Sequence, residues 1–280
     1  MASLFDPVTI LPGIGPTRAQ QLAKLNIRTL YDLIAYFPRG YEDRTRLRAI
    51  ADLEVDQPAC FEAIVISHPR TAHIRQGLDL TKVTLADQTA RLSVTFFNQR
   101  YIADHLLYGQ SYIFYGKLEG DARGVQMTNP VFEPLESPGI LTRRILPIYG
   151  LTAGITNKIL VKAIGTALHI CRDSLPEVLP LQVRQRFRLC DAAYAYETIH
   201  HPADFDALAV AQKRLIFEEF FIFSVGLAMM RARRTEIPHT PYDVCALSPF
   251  LAQLPFSLTG AQQRSIEEIA ADFHKNKPMN

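Results

Sequence analysis

The sequence predicts an α+β chain of several domains, with a small closed β-barrel set between helical segments. Three observations predict it. Between about Ala59 and Pro134 lie five short runs rich in β-branched and aromatic residues, "CFEAIVIS", "LTKVTLAD", "RLSVTFF", "SYIFYGKL" and "GVQMTNPVF", separated by turn-type residues. One stretch of helical spacing, "NQRYIADHLLYG", interrupts them after the third run, with Ile102 and Leu106 four apart and Gly109 closing it. On either side of this region the apolar residues recur at spacings of three and four.

With 280 residues, 48% of them hydrophobic, the chain can bury enough apolar surface for two or three domains. Residues 1–50 read as short helices. "LPGIGPTRAQQLAKLNIRTLYDLIAYFP" has a turn at Gly13-Ile14-Gly15, apolar positions at Ala19, Leu22, Ala23 and Leu25, a break near Asn26, and a second set ending at Pro38. The glycine turn resembles the hairpin of helix-hairpin-helix modules, whose amides hold a phosphate, so Gly13 and Gly15 are candidate phosphate ligands. A tight interhelical turn without a ligand selects the same glycines. Residues 51–145 hold the five runs. Five strands with a helix between the third and fourth is the element order of an OB-fold, a Greek-key barrel, with another small barrel or sandwich as the competing topology.

Residues 146–250 read as helical. "NKILVKAIGTALHI" forms one helix, Leu179-Pro180-Leu181 introduces another, and a long helix follows from about Asp204 to Arg234. Leu208, Leu215, Phe217, Phe220, Phe221, Phe223, Leu227 and Met230 make that helix apolar over a wide arc, which predicts packing against other helices. At ~1.5 Å per residue it spans about 45 Å, enough to brace one domain against another. Residues 251–280 open a new amphipathic helix and stop without a following strand, as a truncated chain would.

Composition excludes several classes. The net charge of +2 assigns no partner, so local clusters must carry any nucleic-acid argument: Arg39, Arg44, Arg46 and Arg48; Arg143 and Arg144; Arg184, Arg186 and Arg188; Arg231, Arg233 and Arg234. Cys60, Cys171, Cys190 and Cys245 are scattered, without C-x-x-C pairs or histidines at ligand spacing, so neither a disulfide framework nor a metal site is indicated. His200 and His201 beside Pro202 read as a helix end. No apolar run approaches the ~18 residues that span a bilayer, and a cytoplasmic location is the default. There is no G-x-x-x-x-G-K-[ST] loop, dinucleotide fingerprint, G-x-S-x-G elbow or H-E-x-x-H, hence no complete catalytic site and no cofactor for this chain.

Two stretches remain. In "SVTFFNQRY" alternation along the strand turns Phe96 into the barrel and Phe97 outward with Arg91, Ser93 and Thr95, while Tyr101 falls on the following helix over the same patch. Exposed rings beside arginines suit single-stranded nucleic acid, because any base stacks on an aromatic face, worth about 1 to 3 kcal/mol per base. A ring buried against a neighbouring segment gives the same pattern. In "PFSLTGAQ", Thr259 and Gln262 open a helix, and a Gln amide matches the edge of an adenine with Phe256 as a stacking surface. A capping threonine followed by a surface glutamine is the plainer reading.

Taken together, "LPGIGPTRAQQLAKL", "TLYDLIAYFPRGYEDRT", "VTFFNQRY", "PIYGLTAGI", "IHHP", "AQKRLIFEEF" and "LPFSLTGAQ" resemble, in order, the N-terminal part of the RecG family of bacterial ATP-dependent DNA helicases, which remodel stalled replication forks and branched recombination intermediates in DNA repair. The resemblance implies that the barrel is the family's wedge, standing where a parental duplex is split. It implies that Phe97 and Tyr101 stack on bases there and that Gln262, beside Phe256 and Thr259, belongs to the adenine-reading Q motif. Arg91, Arg100, Arg143 and Arg144 are the basic residues expected to meet the nucleic acid. Forked or four-way DNA and the single strand at the branch point are the implied partners, with a monomer as the implied state. ATP and Mg are implied for a full-length relative, whose phosphate loop is expected just after Asn280. An OB-fold protein-interaction or scaffolding module is the rival reading.

Overall fold

The computed structural model describes residues 3–99, 101–121, 124–136, 139–235 and 246–274. The chain divides into two compact units, residues 1–215 and 216–280. The first begins with α1 (Pro16–Ala23) and α2 (Leu30–Ile34), followed by β1 (Gly40–Asp43) and β2 (Leu47–Arg48). Asn26, at φ 61°, takes the left-handed conformation that ends α1 at the predicted break. Thr29 caps α2 in a reciprocal box with Asp32.

The barrel comprises β3 (Pro58–Val65), β4 (Arg70–Arg75), β5 (Leu78–Ala86), β6 (Arg91–Phe97), α3 (Ile102–His105), β7 (Ser111–Asp121), β8 (Gly124–Thr128) and β9 (Val131–Pro134). β3 and β4 are two halves of one bent strand, and β8 and β9 are one strand broken at Asn129-Pro130. β5 pairs antiparallel with β3, β4 and β6; β7 pairs antiparallel with β3, β8 and β9; the parallel pair β6–β8 (Ser93↔Gln126 to Thr95↔Thr128) closes the ring. This is the five-strand OB topology, with α3 between the third and fourth strands as the spacing predicts. α3 is only one turn long, yet Ile102 and Leu106 both reach the core. β4 escapes sequence reading because all six of its residues are exposed and alternation is therefore absent.

Phe61, Phe96, Phe114 and Phe132 fill the barrel with Leu85, Val94 and Met127. Gly116 is required there, since a Cβ would lie 2.6 Å from Met127 Sδ and 3.0 Å from Pro130 Cβ.

Beyond the barrel come β10 (Ile145–Ile148), α4 (Asn157–Cys171), α5 (Leu181–Phe187), α6 (Ala192–His200) and α7 (Phe205–Thr235). The helical segments flanking the barrel in sequence share one core: Val8, Ile14, Leu22 and Leu33 pack with Leu160, Ile164, Ile199 and Leu208. The two-stranded pair β1–β10 ties them at the barrel's root (Gly40↔Ile148 to Asp43↔Ile145). His200, fully buried, is the polar pin of this core: its Nε2 donates to Ile34 O at 2.7 Å and its Nδ1 accepts from Tyr149 Oη at 2.7 Å. Neighbouring His201 accepts at Nδ1 from Arg144 Nη2. The predicted helix end is thus a tertiary anchor.

Polar contacts mount the barrel on this base. The buried Glu133 carboxylate of β9 accepts from the amides of Ile140, Leu141 and Thr142 and from Thr142 Oγ1. Arg44 donates to Leu141 O, pairs with Glu42 and lies 3.6 Å from the centroid of the Tyr115 ring. Arg44 is therefore a buried structural cation, whereas sequence placed it in a surface cluster; a guanidinium serving a carbonyl, a carboxylate and a ring together satisfies the demands of burial.

α7 begins one residue after the predicted position, with Asp204 Oδ1 accepting from Ala207 N. Leu208, Ala211 and Leu215 are buried. From Ile216 onward the predicted packing is not seen: Phe220, Phe223, Leu227 and Met230 are exposed. The apolar residues wind round the helix, so no single face of it can enter one core. The second unit further contains α8 (Ser248–Leu251) and α9 (Gly260–Phe273). Cys60, Cys171 and Cys190 are free thiols and Cys245 lies outside the described residues. Among the described residues no helix is long and apolar enough to cross a membrane, and no cluster of His, Cys, Asp or Glu is placed to hold a metal.

Burial pushes both His200 and His201 down to about 4, the positive Arg144 adding to the effect at His201. Unfolded histidines titrate near ~6.5, so between these values the unfolded chain binds more protons and stability falls as pH is lowered. The urea midpoint should be constant above pH 7 and decline towards pH 5, the unfolding free energy falling by up to about 1.4 kcal/mol per pH unit for each histidine. His200→Asn should lower the midpoint at pH 7 and flatten the decline; an equally steep decline in that variant would remove His200 as its source.

Candidate nucleic-acid interface

The site grows from strand parity. Along β6, Leu92, Val94 and Phe96 are buried, Arg91 and Ser93 are exposed, and Phe97 leaves 36% of its surface open where Phe96 leaves none. Phe96 meets Phe132 edge-on inside the barrel (centroids 6.1 Å apart). Thr95 faces outward yet is buried.

Two asparagines shape the chain beyond Phe97. Asn98, at φ 56°, donates from its amide to Asp79 O and accepts from Asp79 N through Oδ1, locking the end of β6 onto the start of β5. Asn129, at φ 47° in the break between β8 and β9, donates from its amide to Thr95 O. Its Oδ1 accepts from Phe97 N at 2.8 Å and from Gln99 Nε2 at 3.2 Å. Gln99 Oε1 in turn accepts from Tyr101 Oη at 2.7 Å. Asn129 and Gln99 thus form a bracket joining the backbone of one candidate ring to the hydroxyl of the other. Asparagine suits such positions because it tolerates the left-handed region and bonds locally.

Tyr101 caps α3 and is 55% exposed; its carbonyl accepts from His105 Nδ1, and its ring meets the His105 ring edge-on. A 520 Å³ cleft opens beside it, lined in part by Gln99, Tyr101, His105, Asn129 and Lys158. Lys158, exposed on α4, brings a cation to this cleft from a segment that motif reading assigned to the helical base. Gln99, Asn129 and Lys158 were all missed from sequence, where the only signal was asparagine at turn positions in "FFNQ" and "TNP".

The remaining predicted residues are dispersed. Arg91 is exposed at the far end of β6. Arg143 is exposed at φ 57°. Arg144 is partly buried and directed at His201, and Arg100 lies outside the described residues. Gly13, at φ 82°, has its carbonyl filled by Arg18 Nη1 of the same turn, while Gly15 caps α1 in extended conformation. In the second unit Thr259 caps α9: its Oγ1 accepts from Gln262 N, and Gln262 Oε1 accepts from Thr259 N, the reciprocal box of the plainer reading. Phe256 is exposed on a 630 Å³ pocket also lined by Gln263 and Glu267.

The family model described as RecG wedge domain matches residues 7–170, a span containing the barrel, the Phe97–Tyr101 bracket and the part of the base that precedes α5. The chain belongs to the RecG family. It is 32% identical to ATP-dependent DNA helicase RecG of Thermotoga maritima over 99% of its length, and 29% identical to the RecG of Streptococcus pneumoniae, also over 99%. It covers 36% and 41% of those relatives, so it spans little more than a third of their length. A solved RecG bound to a three-way DNA junction superposes over the whole chain with a TM-score of 0.81 at 31% identity, while the chain covers 38% of that RecG.

Asn129→Ala removes the shared acceptor and places a Cβ residue without local bonding at positive φ. It should cost about 1 to 3 kcal/mol. Asn129→Gly keeps the backbone conformation and loses the bracket alone, so it should cost less. In both variants hydrogen exchange at the Phe97 amide should quicken relative to Val94; unchanged exchange would mean that Asn129 does not hold this strand end.

Proposed function

We propose that this chain is the branched-DNA-binding wedge of a RecG-type helicase and acts where two strands part. The observation that carries the reading is the exposed Phe97 ring on an otherwise well-filled barrel, coupled through Gln99 and Asn129 to the exposed Tyr101. A solvent-facing aromatic ring forgoes the stability that burial provides, and a nucleobase supplies the missing flat partner. In this reading, Phe97 and Tyr101 cover the bases that lose their pairing partner at the branch, and single-stranded DNA leaves from there. Arg91, Arg100, Arg143 and Lys158 approach phosphates and set orientation without reading sequence. The relatives' name and the junction bound by the solved RecG support the partner class.

The full-length protein, in the same reading, is a cytoplasmic, monomeric ATP-dependent DNA helicase serving fork repair and recombination. For ATP, Phe256 offers an exposed face to the base, while the Gln262 oxygen, which accepts from Thr259 N and Oγ1 in the helix cap, has to leave Thr259 before it can accept from an adenine. ATP with Mg supplies the free energy of translocation when bound. This chain's share is to split strands and hold the junction, and purified chain is expected to show no DNA-stimulated ATP turnover, by phosphate release.

Fluorescence anisotropy tests the wedge. Phe97→Ala should weaken binding to a fork by about 5- to 150-fold, the equivalent of one lost stack, and leave duplex affinity nearly unchanged. Equal losses on fork and duplex would reject a branch-specific role. Absence of DNA binding at low salt would favour the protein-interaction alternative.

A further inference from the structure

The outward face of the barrel carries a second set of exposed aromatic and basic groups, four residues along β6 from Phe97. Residues on this face follow from the register: Arg70 of β4 stands opposite Lys82 of β5, Lys82 opposite Thr95, and Thr84 opposite Ser93. Thr71 and Thr81, the next pair, bond through their hydroxyls at 2.8 Å with Thr81 buried, which fixes Arg70 and Lys82 on the solvent side. Two cations directly opposite one another on neighbouring strands destabilise a sheet. Among the described residues neither makes an ion pair.

Above them His68 and Tyr108, both exposed, stack face to face with centroids 4.8 Å apart. The two rings, Arg70, Lys82, Thr84 and Ser93 line a 560 Å³ cleft whose walls include no carboxylate. The backbone immediately after Tyr108 is fastened to β3, since Gly109 N donates to Val65 O and Val65 N to Gln110 O. Ser67 Oγ accepts from Thr84 N at 2.7 Å, fastening the His68 loop to β5. A rigid aromatic pair beside two uncompensated cations is the chemistry that binds a base and its phosphate.

We propose that this cleft is a second seat for single-stranded DNA, which takes an arm leaving the branch after it passes Phe97. The proposal rests on the wedge reading and deepens it. Four residues of strand separate Ser93 in the cleft from Phe97, about 13 Å, the rise of roughly four stacked nucleotides at ~3.4 Å each. One OB barrel holds ~4–16 nucleotides, so both seats fit a single strand. Tyr108 and His68 supply the stacking surface, and Arg70 and Lys82 neutralise the phosphates.

The test compares the whole chain, by anisotropy, on two forks differing only in the length of one single-stranded arm, about one nucleotide or about six. Tyr108→Ala should weaken the long-armed fork by about 5- to 150-fold and leave the short-armed fork unchanged. Lys82→Ala should reduce the slope of log K against log salt by about 0.7 on the long arm only; this second variant retains the aromatic pair and guards against local unfolding by the first. Phe97→Ala should weaken both forks. If Phe97→Ala acts on both while Tyr108→Ala and Lys82→Ala leave the long-armed fork unchanged, the second seat is wrong and the wedge reading stands. If Phe97→Ala acts on neither, the wedge reading itself fails, and with it this inference.

Discussion

Everything presented at the barrel's outer surface follows from the parity of one strand. Phe96 fills the barrel against Phe132, and a strand whose side chains alternate then has no choice but to hold Phe97 outside. The closing pair β6–β8 fixes that parity, since a slip of one residue would exchange the two phenylalanines. Asn98 and Asn129 then stop the strand from fraying and couple it to Tyr101. Exposed aromatic surface in this family member is therefore a consequence of barrel closure, and its position is as rigid as the barrel.

Rigidity is useful only if the barrel is held to something, and buried polar groups help to hold it. Glu133 meets three successive amides and a hydroxyl, and Arg44 joins the same loop through Leu141 O while lying against Tyr115. A buried charge left without such partners would cost several kcal/mol, so these groups specify one orientation of barrel on base. The base is a single core built from segments that the barrel separates in the chain, pinned at His200. The proposed role at a branch point requires a root that does not bend when the barrel is pushed against a duplex, and this root is cross-braced.

The barrel was legible because its strands alternate and its helix falls at a diagnostic place in the order. The outward turn of Phe97 was legible for the same reason. Long-range closure was not: that residues 1–50 and the helices after β10 share a core depends on contacts between distant positions with no local signature. β4 was hidden by being exposed on every residue, and with it went the basic pair of Arg70 and Lys82. Arginine clusters misled in one case, because charge in a sequence does not distinguish a solvated guanidinium from Arg44, satisfied in the interior. The extent of α7 was read closely from its apolar content, but its packing was not, since an all-round apolar helix gives no face to assign. The bracket residues Gln99 and Asn129 are ordinary turn amides until the fold brings them together.

The central claim is that the Phe97 ring is open in the free protein because a base at the branch covers it in the complex. Photocrosslinking of a fork with 5-iodouracil placed in turn at the branch nucleotide and at positions inside the duplex tests this directly, with the attached residue located by mass spectrometry. The account predicts attachment at Phe97 or Tyr101 when the branch nucleotide carries the iodine, and at neither from within the duplex. Efficient attachment elsewhere on the barrel from the branch nucleotide, with Phe97 and Tyr101 unmodified, would contradict it.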